Sequence, residues 1–325
     1  GNVVTFADLD VVALGPAAAD VSRAFDLYWN SESAYPADRI LARPEPGGAD
    51  ALQAKFAAVR AAPEAAGYSR AVARSRLIDD LVARRLEIDW APAHLVFDDP
   101  AKGLGKAEET TLLLTRLGRI LGSPQRQLDL VSPYFVPGKA GTETFARYAQ
   151  DGVRVRILTN SLAATDVSAV HAGYAKRREP LVRSGVRLYE LKADARTAPG
   201  EPTPAQGSRA ATGSSGASLH AKTFAVDRER VFVGSFNFDP RSYALNTEMG
   251  LVIDSPSLAG ALSDGFGRAV ERAAYEVRLS ANGRDLEWVE QAPEGERRYD
   301  TEPKASFLRR LGVGFMSILP IDWLL

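Results

Sequence analysis

Residues 219–227, Leu219-His220-Ala221-Lys222-Thr223-Phe224-Ala225-Val226-Asp227, and the Gly234-Ser235-Phe236-Asn237 beyond them decide how this chain is read. The pattern is His-x-Lys-x4-Asp, then Gly-Ser-x-Asn after a six-residue gap. The apolar run Thr223–Val226 predicts a strand that ends at Asp227, and Val231–Val233 predicts a second, short one. Side chains at i and i+2 of an extended segment point to one face, so His220 and Lys222 share a face while Ala221 points away. Ser235 and Asn237 leave the second strand at the same edge. An imidazole, an ammonium, a hydroxyl and an amide thus collect at one sheet edge, and that set suits a phosphate group.

A phosphodiester is anionic and resists weak nucleophiles. A neutral imidazole can attack phosphorus and hold a covalent phosphoenzyme, splitting one hard step into two easier ones. Histidine titrates near neutrality and can also protonate a leaving alkoxide. Lys222, Ser235 and Asn237 can stabilise charge on the non-bridging oxygens. The scheme calls for no cofactor, and no His, Cys or carboxylate cluster has metal-ligand spacing.

These words resemble the C-terminal signature of the phospholipase D superfamily. Ser132–Gly138 (SPYFVPG), Thr159–Leu162 (TNSL), Val170–Tyr174 (VHAGY), Gly234–Ser242 (GSFNFDPRS) and Asn246–Gly250 (NTEMG) resemble its bacterial cardiolipin synthase C branch. The similarity runs from Phe6 to Leu325. It implies catalytic roles for His220 (nucleophile or general acid), Lys222 (phosphate binding), Asp227 (holding the motif by hydrogen bonds) and Glu248 (fixing the tautomer of a catalytic histidine). It places Ser235 and Asn237 at the phosphate. Tyr134 is either a lipid-site residue or a core tyrosine. The implied activity is phosphatidyl transfer to phosphatidylglycerol through a phosphohistidine, with phosphatidylethanolamine as a further candidate donor. The alternatives are a phospholipase D-type hydrolase and a non-catalytic, truncated, membrane-binding fragment. The implied location is peripheral, at the bacterial cell membrane, with the leaflet open.

Superfamily members carry two such motifs, and this chain has one. It holds three histidines, and neither His94 nor His171 is followed by Lys two residues on. His171 is expected to be structural or channel-lining, and His94 to pack among apolar neighbours. Phe6–Trp29 echoes Thr247–Val270: an acidic residue, a strand, a small residue with Pro, then an amphipathic helix. Asp8 stands opposite Glu248 and Pro16 opposite Pro256. His220 lies 28 residues before Glu248, so the matching histidine is expected about twenty residues before Gly1. The expectation is a truncated two-motif protein whose partner is its missing first half or a second copy of the chain.

The 325 residues can bury a large core. Charged residues make up 25% and hydrophobic ones 45%, as in ordinary globular proteins. The net charge of −1 argues against a broad grip on nucleic acid. There are no cysteines, so disulfide and thiol chemistry are excluded. Strands and helices alternate, predicting an α/β layered, phospholipase D-like fold: a mixed sheet flanked by helices on both faces. Three parts are expected. Residues 1–92 are a remnant of the first half with a helical connector, opening on a strand over Val3–Leu14. Residues 93–303 are the motif-bearing domain, with a loop rich in Pro, Gly and Ser over 193–218. Residues 304–325 are an amphipathic tail carrying Arg309, Arg310 and Trp323, suited either to a membrane interface or to a groove on the protein itself.

Overall fold

The computed structural model describes residues 5–43, 45–62, 79, 80, 82–86, 88–195 and 217–319. Most of the helix expected over 69–86 and most of the loop expected over 193–218 fall outside these residues. So does the end of the tail. The chain forms two compact units. The smaller, 34–90, contains helices α2 (Ala37–Ile40) and α3 (Gly48–Ala61), with Leu52, Phe56 and Val59 exposed on α3.

The larger unit combines 1–33 with 91–325. Its centre is a ten-stranded mixed sheet of β2 (Ala93–Phe97), β3 (Gln127–Val131), β4 (Arg154–Asn160), β5 (Arg187–Leu191), β7 (Thr223–Val226), β8 (Arg230–Gly234), β9 (Met249–Ile253), β10 (Ala274–Leu279), β11 (Leu286–Ala292) and β12 (Gly295–Tyr299). The spatial order is β12-β11-β10-β5-β4-β3-β7-β8-β9-β2. Only β3–β4 and β4–β5 pair in parallel. The expected βαβ rhythm is therefore local to the centre. Antiparallel strands widen the sheet on either side.

Helices cover both faces, as expected. On one face α4 (Leu113–Leu121), α5 (Gly138–Gln150) and α6 (Ser168–Arg183) set Leu113, Leu117, Phe145, Tyr174 and Leu181 on Leu130, Ile157, Leu188 and Phe232. The other face carries α1 (Pro16–Trp29) and α8 (Pro256–Gly265), which contribute Ala17 and Ala259 beside Ala225, Val231 and Leu251. Strands β3 and β7, and β9 beyond Met249, are buried on both sides because each is covered twice, β3 carrying the polar Gln127 and Asp129 on one of them. A short helix α7 (Pro240–Ala244) starts at Asp239, whose carboxylate accepts the Ser242 N–H at 2.8 Å, as the Asp-Pro word implies. The C-terminal helix α9 (Phe307–Ile318) packs Val313 against Leu162 and Ala172.

The expected first strand is shorter than its apolar pattern. β1 is Thr5–Ala7, paired in parallel with β6 (Ala217–Leu219) in a separate two-stranded sheet. Beyond Ala7 no strand partner is present among the described residues, and Leu9, Val11, Val12 and Leu14 are exposed. His94 also departs from expectation. It lies on the edge strand β2 with half its side chain exposed, and its Nε2 is 3.6 Å from Asp254. The strand is packed on both faces, and Val96, on the same side as His94, is buried; the exposure of His94 is local to the sheet's rim.

Candidate active site

One edge of the large sheet gathers most of the expected residues. Because β7 runs antiparallel to β3 and to β8, its start lies beside the end of each (Val131↔Thr223, Thr223↔Val233). The start of β9 lies beside the end of β8 (Gly234↔Gly250), and the end of β2 beside the start of β9 (Phe97↔Met249). Lys222, Ser235, Glu248 and the segment after β3 that carries Tyr134 therefore converge. The chain at Gly234 and Gly250 must be glycine: a Cβ on either would overlap the Phe232 ring and the opposite backbone.

His220, Ala221 and Lys222 do not lie inside a strand. They form the link between β6 and β7. The expected alternation survives nonetheless, with His220 exposed, Ala221 buried and Lys222 between the two. Asn160 fixes this link. Its side chain accepts the Leu219 N–H at 2.9 Å and donates to the Leu219 carbonyl at 3.2 Å. The Lys222 ammonium donates to the His220 carbonyl at 2.7 Å. Burial depresses the Lys222 pKa, and it faces the carboxylates of Asp8, Glu248, Asp239 and Asp166, which pull it the other way.

The carboxylate on His220 is one the sequence reading did not assign. Asp8 Oδ2 lies 2.7 Å from His220 Nδ1. Burial alone would raise the Asp8 carboxyl. The His220 hydrogen bond, the Leu9 N–H and the nearby cations together outweigh it, and its pKa falls below the usual range. Glu248 stands elsewhere. It is buried, and its Oε1 accepts the Ser242 hydroxyl at 2.8 Å while Oε2 accepts the Ser235 hydroxyl. Asn237 is buried beside them, its N–H donating to Ser242 Oγ at 3.3 Å and its Oδ1 without a hydrogen-bond partner among the described residues. Tyr134 donates to the Asp166 carboxylate at 3.0 Å and is half-buried, so it is not a core tyrosine. Burial and the Asp166 charge push its hydroxyl pKa up.

Asp227, grouped with the catalytic residues in the sequence, is not brought to this edge. It terminates β7 at the opposite end, roughly 16 Å along the strand from Lys222. Its φ of +55° turns the chain. Its carboxylate accepts backbone N–H groups from Gln125, Arg126 and Gln127 at 3.0, 2.7 and 2.9 Å. Burial would raise its pKa; these three donors lower it. It clamps β7 to the start of β3.

A second set was also missed. Asp98, which precedes Asp99-Pro100, is fully buried. Its Oδ2 accepts the Glu248 N–H at 2.9 Å and meets Lys102 Nζ at 2.7 Å, and its Oδ1 accepts the Leu113 N–H at 2.7 Å. Lys102 also donates to the Ser242 carbonyl at 2.7 Å. This buried pair holds Ser242 and Glu248, and through them Asn237 and Ser235. The i,i+4 spacing of Asp98 and Lys102 was its only trace in the sequence. His171, expected to be structural or channel-lining, is buried on α6. Its Nε2 is 3.0 Å from Glu302 Oε1, and burial pushes its pKa down. Glu302 and Glu190 flank the Arg178 guanidinium at 2.5 and 2.9 Å.

Residues 117–270 match the family described as cardiolipin synthase, PLD-like domain. Cardiolipin synthase C of Escherichia coli K12 is 45% identical over 329 residues, covering 100% of this chain and 67% of the relative. The chain belongs to the phospholipase D superfamily, in its cardiolipin synthase-like branch. Cardiolipin synthase A of Edwardsiella ictaluri is 30% identical over 193 residues, 58% of this chain and 32% of that protein. The chain thus spans about two thirds of the Escherichia coli relative, and its match covers about a third of the Edwardsiella ictaluri one. Among solved structures, the phosphatidylserine synthase of Haemophilus influenzae aligns over 80% of this chain and 53% of its own, at 18% identity and a TM-score of 0.44.

Proposed function

We propose that this chain carries one half of the active site of a phosphatidyltransferase that makes cardiolipin. The observation that supports the reading most is the Asp8–His220 contact beside Lys222. With Nδ1–H donated to Asp8, Nε2 keeps its lone pair and can attack phosphorus. The P–N bond forms as the P–O bond to the leaving alcohol breaks, and that alkoxide takes a proton. The hydroxyl of phosphatidylglycerol then gives its proton to the same acid–base group that protonated the alkoxide and attacks phosphorus, the new P–O bond forming as the P–N bond to Nε2 breaks. Lys222, Ser235 and Asn237 would bear the charge on the non-bridging oxygens. The roles of His220, Lys222, Ser235, Asn237, Glu248 and Tyr134 are part of the proposal; Asp227 serves as the clamp at the far end of β7.

The proton donor would come from a second copy of the motif. Asp8 and Glu248 occupy matching places in the internal echo. If Asp8 serves His220, Glu248 would serve the histidine of the other half. Four carboxylates, Asp8, Glu248, Asp239 and Asp166, act on Lys222. A bound phosphodiester would add to that negative charge, so the other half's lysine has a place to fill.

The test uses the full-length protein on vesicles of headgroup-labelled phosphatidylglycerol and phosphatidylethanolamine. Cardiolipin should form, His220→Ala should abolish it, and an acid-labile phosphatidyl adduct should be trapped on His220. Release of glycerol or ethanolamine identifies the donor. Phosphatidic acid as sole product would favour the hydrolase, and no turnover a non-catalytic protein.

A further inference from the structure

Helix α9 is oriented against the usual rule. A surface helix normally turns its apolar stripe inward and its charges to water. Here the charges turn inward. Arg309 donates to the Thr165 carbonyl at 2.7 Å and to Ser168 Oγ at 3.3 Å, and Arg310 donates to Thr301 Oγ1 at 3.1 Å. Val313 seats the middle of the helix in a small cluster on Leu162 and Ala172. The outward side holds Phe307, Leu308, Leu311, Phe315 and Ile318, between 59% and 82% exposed, with no charged residue among them. Spacings of four, four and three residues from 307 to 318 keep them on one face. A continuous apolar stripe of this kind signals contact with something apolar.

Two observations select the occupant. The first is position. The turn after β4 that holds Arg309 through Thr165 continues into Asp166, which takes the Tyr134 hydroxyl at 3.0 Å and acts on Lys222. The stripe thus begins one short turn from the catalytic edge. The second is charge. Arg309 and Arg310 lie on the first turn of the helix, on the inner flank of the stripe, and Lys304 just before it pairs with Asp194; the outward stripe itself is uncharged. An uncharged apolar stripe flanked on its inner side by two arginines, whose stems run along it, matches the layering of an anionic bilayer, hydrocarbon beneath phosphate. At 12 residues the helix is too short to span one, and among the described residues no helix is long and apolar enough to cross a membrane.

We infer that α9 is a membrane-docking helix: it lies flat in the headgroup boundary of an anionic bilayer, with Phe307, Leu308, Leu311, Phe315 and Ile318 inserted, and so holds the catalytic edge at headgroup depth. The inference rests on the lipid reading of the site. It names the surface that delivers the substrate.

The experiment is vesicle co-sedimentation of the purified chain, with phosphatidylglycerol–phosphatidylcholine vesicles against pure phosphatidylcholine. The chain should prefer the anionic vesicles. Leu311→Gln and Phe315→Gln should each weaken binding roughly ten- to hundredfold, since each removes one large apolar side chain from the hydrocarbon. Their unfolding midpoints should stay at the unsubstituted value, because neither residue is buried. Equal binding to both vesicles, or binding unchanged by the substitutions, overturns the inference. So does a concentration-dependent self-association that the same substitutions abolish. Turnover by the full-length protein of a monomeric short-chain phosphatidylglycerol separates the two readings. If it persists in both variants while vesicle binding was never present, docking alone is wrong; if it is absent while the unsubstituted chain binds vesicles, the catalytic reading alone is wrong.

Discussion

Replacing Lys102 by Met should destabilise the protein far more than removal of a surface lysine. The Asp98 carboxylate is 0% exposed and the Lys102 side chain 4%, with 2.7 Å between them. Met fills much of the same volume but leaves the carboxylate with only the Leu113 and Glu248 N–H groups as partners. Breaking a buried pair by removing one partner costs about 3–5 kcal/mol, because an uncompensated charge stays buried. At about 2–4 °C per kcal/mol for a unit of this size, the melting temperature should fall by roughly 6–20 °C. The effect should be readable by urea or thermal unfolding followed by circular dichroism. Adding Asp98→Asn to Lys102→Met removes the orphan charge at the expense of one weakened N–H acceptor, about 1–3 kcal/mol. The double variant should therefore recover part of the loss. A single-variant loss below about 1 kcal/mol, the range of exposed pairs, would refute the reasoning. Strict additivity of the two substitutions would do so too.

Asp8→Asn should lower kcat by roughly 10²–10⁴-fold with little change in KM or in melting temperature, because the amide favours the wrong tautomer of His220 while Asp8 itself is 40% exposed; an unchanged kcat would remove Asp8 from the mechanism. Glu302 has a pKa of about 2: burial would raise it, and the His171 hydrogen bond and Arg178 charge more than reverse that. That value lies below the 4.5 of an ordinary Glu, so the group adds on the order of 3 kcal/mol above pH ~4.5, and this stability is lost as pH falls toward 2. Glu302→Gln should flatten the stability–pH curve in that window, and a curve parallel to the wild type would argue against it. Gly250→Ala should lose about 1–3 kcal/mol or more, since its Cβ would come within 2.8 Å of the Val233 carbonyl and overlap the Phe232 ring; equilibrium unfolding in urea measures it, and a neutral effect would mean that β8 and β9 can part freely.

The central strands and their helices were legible because each is a short apolar run bounded by turn residues, and their order follows from the βαβ rhythm. The outer antiparallel strands were not, since β10 and β11 interleave charged with apolar residues and β12 is almost wholly polar, which gives weaker signals. His220, Lys222, Ser235 and Asn237 could be placed together because they sit within 18 residues of one another on adjoining strand ends. Asp227 belongs to the same word yet lies across the sheet, since a word along the chain records sequence distance and a strand carries its two ends apart. Asp8 was visible only as the counterpart of Glu248 in the internal echo. What that counterpart touches is set by tertiary pairing across 212 residues, which no local pattern encodes. The Asp98–Lys102 pair was hidden for another reason: charged residues beside a proline usually mark solvent, and only the packed structure reveals that these two turn inward.

The pairing of β1 with β6 has a consequence for how activity would be lost. Three residue pairs join segments more than two hundred positions apart, outside the large sheet. Such a closure has to offset a long loop's entropy with few hydrogen bonds, so it opens at lower free energy than the core. Asp8 follows β1 directly and His220 follows β6, so the carboxylate and the imidazole separate whenever that short ladder frays. Amide exchange at 5–7 and 217–219 should run ahead of exchange in β3 and β4. Mild heat or denaturant would then silence the site while spectroscopic signatures of the fold stay intact, and cooling would restore it without any refolding of the core.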